Sequence, residues 1–200
     1  MTEKERMLAG KLYQARDPEL MADHDRKHQL LRQINTAERS ELPSLFRALL
    51  GAWGDNSWIE PPFYCDYGSH IFIGAHFYAN YDCIILDVCP VTIGDDVFLG
   101  PRVCIYTATH PIDAGVRNTE LESGIPVRIG SSVWVGGNTV INPGVTVGDN
   151  VVIGSGSVVT HSIPSGVVAA GNPCRVIRPI TDADRKYWET LAETYWREQA

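Results

Sequence analysis

The chain has 200 residues, 44% of them hydrophobic, and a formal net charge of −7. This length suits one globular domain or a solenoid with a flanking helical piece, and the acidic balance argues against a general nucleic-acid binder. No apolar run approaches the ~20 residues of a membrane helix. The charged start, 1–6, leads into no signal-peptide core, so we expect a cytoplasmic protein with no membrane partner.

Residues 1–60 read as a helical segment. Thr2 and Glu5 fit a capping box, in which each side chain bonds to the other's backbone. Asp17-Pro18 is typical of a second helix start, and Ser40 opens a third helix with apolar residues on one face. Gly51 and Gly54 end this pattern.

Two residue types in this chain can suggest metal sites. His24 and His28 have a zinc-compatible spacing, but Arg26 and Lys27 beside them favour a solvated helix face. The five cysteines are an odd number without a CxxC pair. Three of them lie in strand-like segments, so we interpret them as small core residues: Cys83, Cys89 and Cys104.

A six-residue period dominates the C-terminal half. Aliphatic residues recur at every sixth position: Ile129, Val135, Ile141, Val147, Ile153 and Val159. A strict period of six predicts a parallel β-helix, because each short strand stacks on its copy one coil later. An ordinary β-sandwich would instead alternate with a period of two. The residue after each aliphatic position is often Gly or Asn, and we expect it to form a corner with strained φ and ψ.

The same frame extends upstream and is interrupted once. It begins near Tyr67, runs through Ile73 and Ile85, and gains two inserted residues before Ile93. It disappears at about 110–126 and returns in frame at Ile129. We therefore predict a β-helix over 61–180 from which a loop at about 110–126 projects, and such loops commonly carry function.

The last segment, 181–200, reads as a helix with Asp184 as its capping partner. Its large apolar residues fall on one side: Tyr187, Trp188, Leu191, Tyr195 and Trp196. We expect this stripe to pack against the solenoid or a neighbouring subunit.

Several motifs resemble those of the maltose and galactoside O-acetyltransferases of the hexapeptide-repeat superfamily, with the maltose type closer. They are 9–13 (AGKLY), 65–68 (CDYG), 77–80 (FYAN), 86–90 (LDVCP), 106–113 (YTATHPID), 133–137 (VWVGG), 141–145 (INPGV) and 171–173 (GNP). The resemblance implies an all-β core formed by a left-handed parallel β-helix, with the N-terminal helical segment, the excursion loop and the C-terminal helix added to it. It also implies a homotrimer with active sites between subunits, and transfer of acetyl from acetyl-CoA to a sugar hydroxyl without a metal.

The expected catalytic residues are His110 and Asn80. From its position alone, His110 could be a general base or a loop histidine bonded to backbone; the resemblance implies the base. Asn80 follows a repeat position, where Asn also suits a corner, and the resemblance implies contact with the acceptor and the acetyl group. The candidate acceptor contacts are Asp66, Tyr78, Asn80, Asp87 and Glu122. Galactoside-type contacts fall here on Ala15, Asp66 and Val88, which argues against galactoside specificity.

The coenzyme A contacts follow from the same resemblance. They are Trp134, Gly137, Ser155, Thr160, His161, Arg175 and Arg178. Small residues would let backbone approach the pantetheine arm. The two arginines resemble a phosphate clamp, although on sequence alone they could be solvated charges.

Three alternatives remain at this point. The acceptor could be an amino-sugar or a non-sugar hydroxyl compound. A metal-dependent carbonic anhydrase would need three histidines around one zinc, and His110 has no partner at that family's spacing. A solenoid without catalytic activity is the third.

Overall fold

The computed structural model describes residues 1–199 and contains five helices and twenty strands. The helices are α1 (Glu3–Leu8), α2 (Pro18–Ile34), α3 (Leu42–Leu49), α4 (Ala114–Arg117) and α5 (Asp182–Gln199). The strands are β1 (Tyr13–Gln14), β2 (Ala52–Trp53), β3 (Trp58–Ile59), β4 (Phe63–Cys65), β5 (Ile71–Ile73), β6 (Tyr78–Ala79), β7 (Cys83–Leu86), β8 (Val91–Ile93), β9 (Phe98–Leu99), β10 (Cys104–Tyr106), β11 (Ala108–Thr109), β12 (Leu121–Gly124), β13 (Val127–Ile129), β14 (Val133–Val135), β15 (Val140–Ile141), β16 (Thr146–Val147), β17 (Val151–Ile153), β18 (Val158–Val159), β19 (Val167–Ala170) and β20 (Arg175–Pro179).

The strands stack into three parallel faces, which confirms the predicted parallel β-helix. The first face has the order β16-β13-β8-β5-β2, and the third has the order β18-β15-β10-β7-β4. The second face runs β19-β17-β14-β9-β6-β3 and is closed by antiparallel β20. The aliphatic frame points inward: Ile85, Ile105 and Ile141 are fully buried on the third face. Each rung therefore adds apolar area to one continuous core.

The coil begins at Ala52, upstream of the predicted start near Tyr67 and of the predicted boundary at 61. Strand β2 pairs with β5, and β3 pairs with β6. Trp53 and Cys65 occupy the positions that Ile73 and Ile85 fill one turn later. The first turn escaped the sequence pattern because these two frame residues are not aliphatic.

Helices α1 and α2 start where their caps predict, whereas α3 begins at Leu42, two residues after the predicted Ser40, and has no side-chain cap bond. Thr2 and Glu5 form the capping box, and Asp17 accepts a hydrogen bond from the backbone of Glu19. Helix α3 covers the open end of the coil, where Phe46 stacks on Trp53 with ring centroids 5.3 Å apart. A solenoid needs such a cap because its terminal turn has an unpaired side.

The corners differ from the expectation in one respect. The left-handed residues lie three places after the frame residue, as at His76, Asp96 and Asn138. The glycine that directly follows the frame residue is required by close approach instead. A Cβ on Gly100 would lie 2.6 Å from the backbone nitrogen of Gly137 in the next turn.

The C-terminal helix contains no buried residue. Asp184 accepts hydrogen bonds from both the backbone and the hydroxyl of Thr181, as the cap predicts. The aromatic stripe is exposed, with Trp188 at 66% and Trp196 at 67%. The expectation that this stripe packs against the solenoid of its own chain is therefore wrong, and packing against a neighbouring subunit stays a prediction. Across residues 1–199, no helix combines the length and hydropathy that a bilayer crossing requires.

The excursion between β10 and β13 has its own small sheet. Strands β11 and β12 form an antiparallel hairpin, and β1 from the N-terminus pairs antiparallel with the outer side of β12. The order β1-β12-β11 means that the N-terminal segment completes the loop. The predicted loop thus exists, and a distant part of the chain holds it in place.

Candidate active site

His110 directly follows β11 and is exposed at the mouth of an open cavity of about 310 Å³. Basic and acidic side chains surround it. The lining residues are Ala15, Arg16, His110, Arg117, Glu120 and Glu122. The hairpin fixes the backbone immediately before His110, since Thr109 pairs with Ser123. The structure therefore brings together two predicted site residues, His110 and Glu122.

A tyrosine that the sequence did not single out holds Glu122. The hydroxyl of Tyr13 donates a hydrogen bond of 2.9 Å to Oε2 of Glu122. Burial, followed by the charge of Glu122, raises the pKa of Tyr13 far above its ordinary value, so the phenol remains a donor. Tyr13 is part of the motif 9–13 that carried the family resemblance, and its place in that motif was the available signal.

Asp66 lies close enough to this cavity to interact with Glu122. Burial, together with the charges of Asp87 and Glu122 and against the opposing charge of Lys27, raises the pKa of Asp66 to about 6. A carboxyl group in such surroundings can exchange a proton near neutral pH. Asp66 remains a candidate acceptor contact.

Asp87 has a different role from the one predicted. It is 0% exposed, and its carboxylate accepts backbone hydrogen bonds from Asp66, Tyr67 and His70 at 3.1, 2.9 and 3.2 Å. A carboxylate enclosed by three backbone N–H groups cannot reach an acceptor. The prediction that Asp87 contacts substrate is therefore wrong, and this residue shapes the turn that presents Asp66.

Asn80 lies on the second face, in another cavity of about 520 Å³. Its lining is mostly apolar and contains three predicted residues: Tyr78, Asn80 and Trp134. The side-chain oxygen of Asn80 accepts a hydrogen bond of 2.8 Å from the backbone of Tyr81. This bond orients the amide so that its NH₂ group is available to a ligand.

The two cavities have no lining residue in common. His110 follows the strands of the third face, whereas Asn80 and Trp134 belong to the second face. The chain alone therefore does not bring the two predicted catalytic residues together.

The predicted coenzyme A contacts fall into separate groups. His161 and Arg175 line one cavity of about 320 Å³, and Thr160 Oγ1 lies 2.9 Å from Nδ1 of His161. Gly137 and Ser155 lie at corners of successive turns, beside Trp134. Arg178 forms a bidentate pair with Asp184 at 2.7 and 2.8 Å, so its guanidinium is already neutralised. A phosphate clamp at Arg178 would have to displace this carboxylate.

The histidines of the coil do not converge. His70 is buried with Nδ1 2.7 Å from the backbone oxygen of Asp87, and His76 is exposed beside Asp96. Within the described chain, 1–199, no group of three or more His, Cys, Asp and Glu side chains is arranged to hold a metal ion.

The assumption that the polar stretch of α2 is a solvated face is also wrong at one residue. Lys27 is buried, with 5% exposure, and the ring of His24 lies 4.6 Å from that of Tyr67. The neighbouring charges predicted a solvent-exposed helix face, because the cavity under α2 is not evident from the sequence.

Comparison with known proteins gives three profile matches. The maltose acetyltransferase hexapeptide capping motif matches residues 6–54. The bacterial transferase hexapeptide matches 126–161, and the hexapeptide repeat of succinyl-transferase matches 90–116. The capping motif thus runs from within α1, through α2 and α3, to just past the first coil strand β2.

Whole-chain relatives agree with these matches. A maltose O-acetyltransferase from Clostridium difficile 630 is 52% identical and superposes with a TM-score of 0.90 over 90% of this chain and 98% of its own. A galactoside acetyltransferase in complex with coenzyme A is 45% identical, with a TM-score of 0.89 over 92% and 94%. Nodulation protein L of Rhizobium meliloti is 52% identical over 88% of this chain and 97% of its own.

These likenesses extend over nearly the whole coil and its N-terminal cap, and they confirm the predicted enzyme class, an acyltransferase that uses acetyl-CoA. The chain belongs to the maltose and galactoside O-acetyltransferase family of hexapeptide-repeat acyltransferases.

Proposed function

We propose that this protein transfers the acetyl group of acetyl-CoA directly to a hydroxyl of a maltose- or glucose-like sugar, with His110 as the general base. The observation that carries the proposal is the exposed imidazole at the mouth of a cavity that also contains Glu122. Carboxylates such as Glu122 and Asp66 accept hydrogen bonds from sugar hydroxyls and disfavour an apolar substitute.

The chemistry requires one proton carrier. An alcohol is a weak nucleophile, so a ring nitrogen of His110 takes the hydroxyl proton as the oxygen attacks the thioester carbon. The carbon–sulfur bond then breaks, and the protonated imidazole returns the proton to the leaving thiolate. In this proposal the NH₂ group of Asn80, whose amide is oriented by its bond to Tyr81, donates to the oxygen that becomes negative at the carbonyl.

His110 and Asn80 can act on one substrate if two subunits share the site. Outward residues on the second face form an apolar column: Trp58, Tyr78, Phe98, Trp134, Val152 and Val168. The third face carries another: Tyr64, Ile84, Cys104, Val140 and Val158. The first face is more polar, with Thr92, Arg128 and Thr146 outward.

Two different apolar faces favour head-to-tail contacts, which form a closed ring when the rotation between subunits permits it. We therefore infer a homotrimer in which the second face of one subunit meets the third face of the next. This arrangement places Asn80 and Trp134 of one subunit near His110 of its neighbour. Coenzyme A would then follow the corner from Trp134 past Gly137 and Ser155 towards His161 and Arg175.

The cytoplasm is the compartment that we propose. All five cysteines are free, and four of them are buried. Free thiols are typical of proteins in a reducing compartment.

The direct test of the base is His110→Ala, with His76→Ala as the matched control on an exposed coil histidine. We expect kcat to fall by about 10²–10⁴ in His110→Ala, because general acid–base help of that size is lost. His76→Ala should retain its rate. Turnover is followed as thiol release with a panel of sugars and amino-sugars. A folded His110→Ala enzyme with near-normal turnover would remove His110 from the mechanism.

Mixed trimers test the shared site. His110→Ala and Asn80→Ala should each retain only a small fraction of the wild-type activity when assembled alone. Refolding the two variants together should restore part of the activity, because some interfaces then pair an intact His110 with an intact Asn80. A site contained within one chain predicts no recovery on mixing.

A further inference from the structure

A cavity outside the proposed active site lies between α2 and strand β4. Its volume is about 530 Å³, which is within the ~300–1,000 Å³ typical of small-molecule sites. Three basic residues of α2 contribute to its wall: Lys27, His28 and Arg32. Tyr64 and Cys65 of β4 form the opposite side. It has no lining residue in common with the cavity of His110.

Lys27 is the unusual member of this wall. Its side chain carries a positive charge, yet the residue is only 5% exposed to solvent. Its ammonium has three donors, and Nζ lies 3.5 Å from Nε2 of His28. Throughout residues 1–199, no carboxylate oxygen lies within 4.0 Å of Nζ of Lys27. Buried charges are normally paired, because an unpaired one loses its hydration without compensation.

The acidic groups nearby do not fill this role. Asp66 senses the charge of Lys27, yet burial still raises the pKa of Asp66 to about 6. Asp87 also acts on this region, and its carboxylate is occupied by backbone N–H groups. Within residues 1–199 the ammonium of Lys27 therefore has no carboxylate in contact with it, although the charge of Asp66 acts on it at longer range.

We propose that this cavity is a binding site for a small oxyanion, the phosphate or carboxylate group of a metabolite-sized molecule. Lys27 supplies the buried charge, and Arg32, whose guanidinium is exposed at the cavity, supplies a planar second contact. Leu31 and Tyr64 provide the apolar wall for the remainder of the ligand, and Tyr64 also belongs to the third-face column that we place at the subunit interface. This cavity has no lining residue in common with that of His110, and the proposal does not require acetyl transfer.

The experiment is calorimetric titration of the assembled protein with inorganic phosphate, with glucuronate and with neutral glucose. Phosphate and glucuronate distinguish a free phosphate from a carboxylate-bearing sugar as the source of the anion. We expect saturable binding of at least one anion and a loss of about tenfold or more in Lys27→Met, since a charge-assisted hydrogen bond is removed. Lys186→Met is the matched control, because it removes the same group from the exposed face of α5.

Arg32→Met provides a second variant at an exposed position, which should fold even where Lys27→Met does not. It should weaken the same titration while Lys186→Met does not. Absence of saturable binding of both anions to the wild type would overturn the proposal, as would equal binding by all three variants. Binding of no anion, together with dissociation of the Lys27→Met assembly, would overturn it too and would indicate that Lys27 serves the contact between subunits.

Discussion

The coil and the excursion loop obtain their structure in opposite ways. Each coil strand pairs with a copy of itself in the turn before and the turn after, as β10 does with β7 and β15. The loop has no such copy. Its outer strand β12 pairs with β1, and its central contact joins Tyr13 to Glu122, which are 109 positions apart.

This difference separates stability from function. The coil contains the apolar core, and nearly every frame residue in it is buried. The loop contains His110 and Glu122 and has almost no buried side chains of its own. The rigid part therefore supports the reactive part, and a change in one region should affect a different measurement from a change in the other.

The largest effect should come from a frame residue. Ile105→Ala removes a fully buried side chain between Ile85 and Ile141. We expect the free energy of unfolding to fall by about 2–5 kcal/mol, from lost apolar burial and the cavity left behind. Val116→Ala in α4 of the loop is the control and should change it by less than about 0.5 kcal/mol. Similar losses in chemical denaturation of both variants would remove the distinction between the two regions.

A second prediction concerns the junction of the coil and the loop. Burial, with help from Asp87 and Glu122, raises the pKa of Asp66 from 3.8 to about 6 in the folded state. The protonated form is favoured by folding, so this contribution is complete below about pH 4 and is lost as the pH rises through about 6. Asp66→Asn should therefore stabilise the protein at pH 7 by ~1–3 kcal/mol.

The measurement is the melting temperature of both proteins between pH 4 and 8. The two curves should converge at the acid end and separate through pH 6. Glu122→Gln should give part of the same gain, because one of the charges that act on Asp66 is removed. Parallel curves would show that Asp66 ionises as easily in the folded chain as in the unfolded one.

The sequence revealed the coil better than the loop for a physical reason. Periodicity is a local property, so the frame at 129–159 and the caps at Thr2 and Asp17 could be read directly. The position of His110 was visible because the period stops there. Contacts between residues far apart in the sequence produce no local pattern. The hydrogen bond between Tyr13 and Glu122 and the burial of Lys27 were therefore not predicted.

The smallest effect on stability should come from the hydrogen bond between Tyr13 and Glu122. Tyr13→Phe keeps the buried ring and removes only the hydroxyl that donates to Glu122. Because the coil stays intact, we expect a loss of about 1 kcal/mol that is confined to the loop. Amide hydrogen exchange should accelerate over 119–124 and remain unchanged over 140–159. Catalytic efficiency should fall severalfold, since Glu122 and the hairpin before His110 lose a constraint, whereas Tyr81→Phe at an exposed corner should behave as wild type. If exchange accelerates equally in the coil, the loop and the coil unfold as one unit, and the N-terminal strand has no separate role in holding the catalytic histidine.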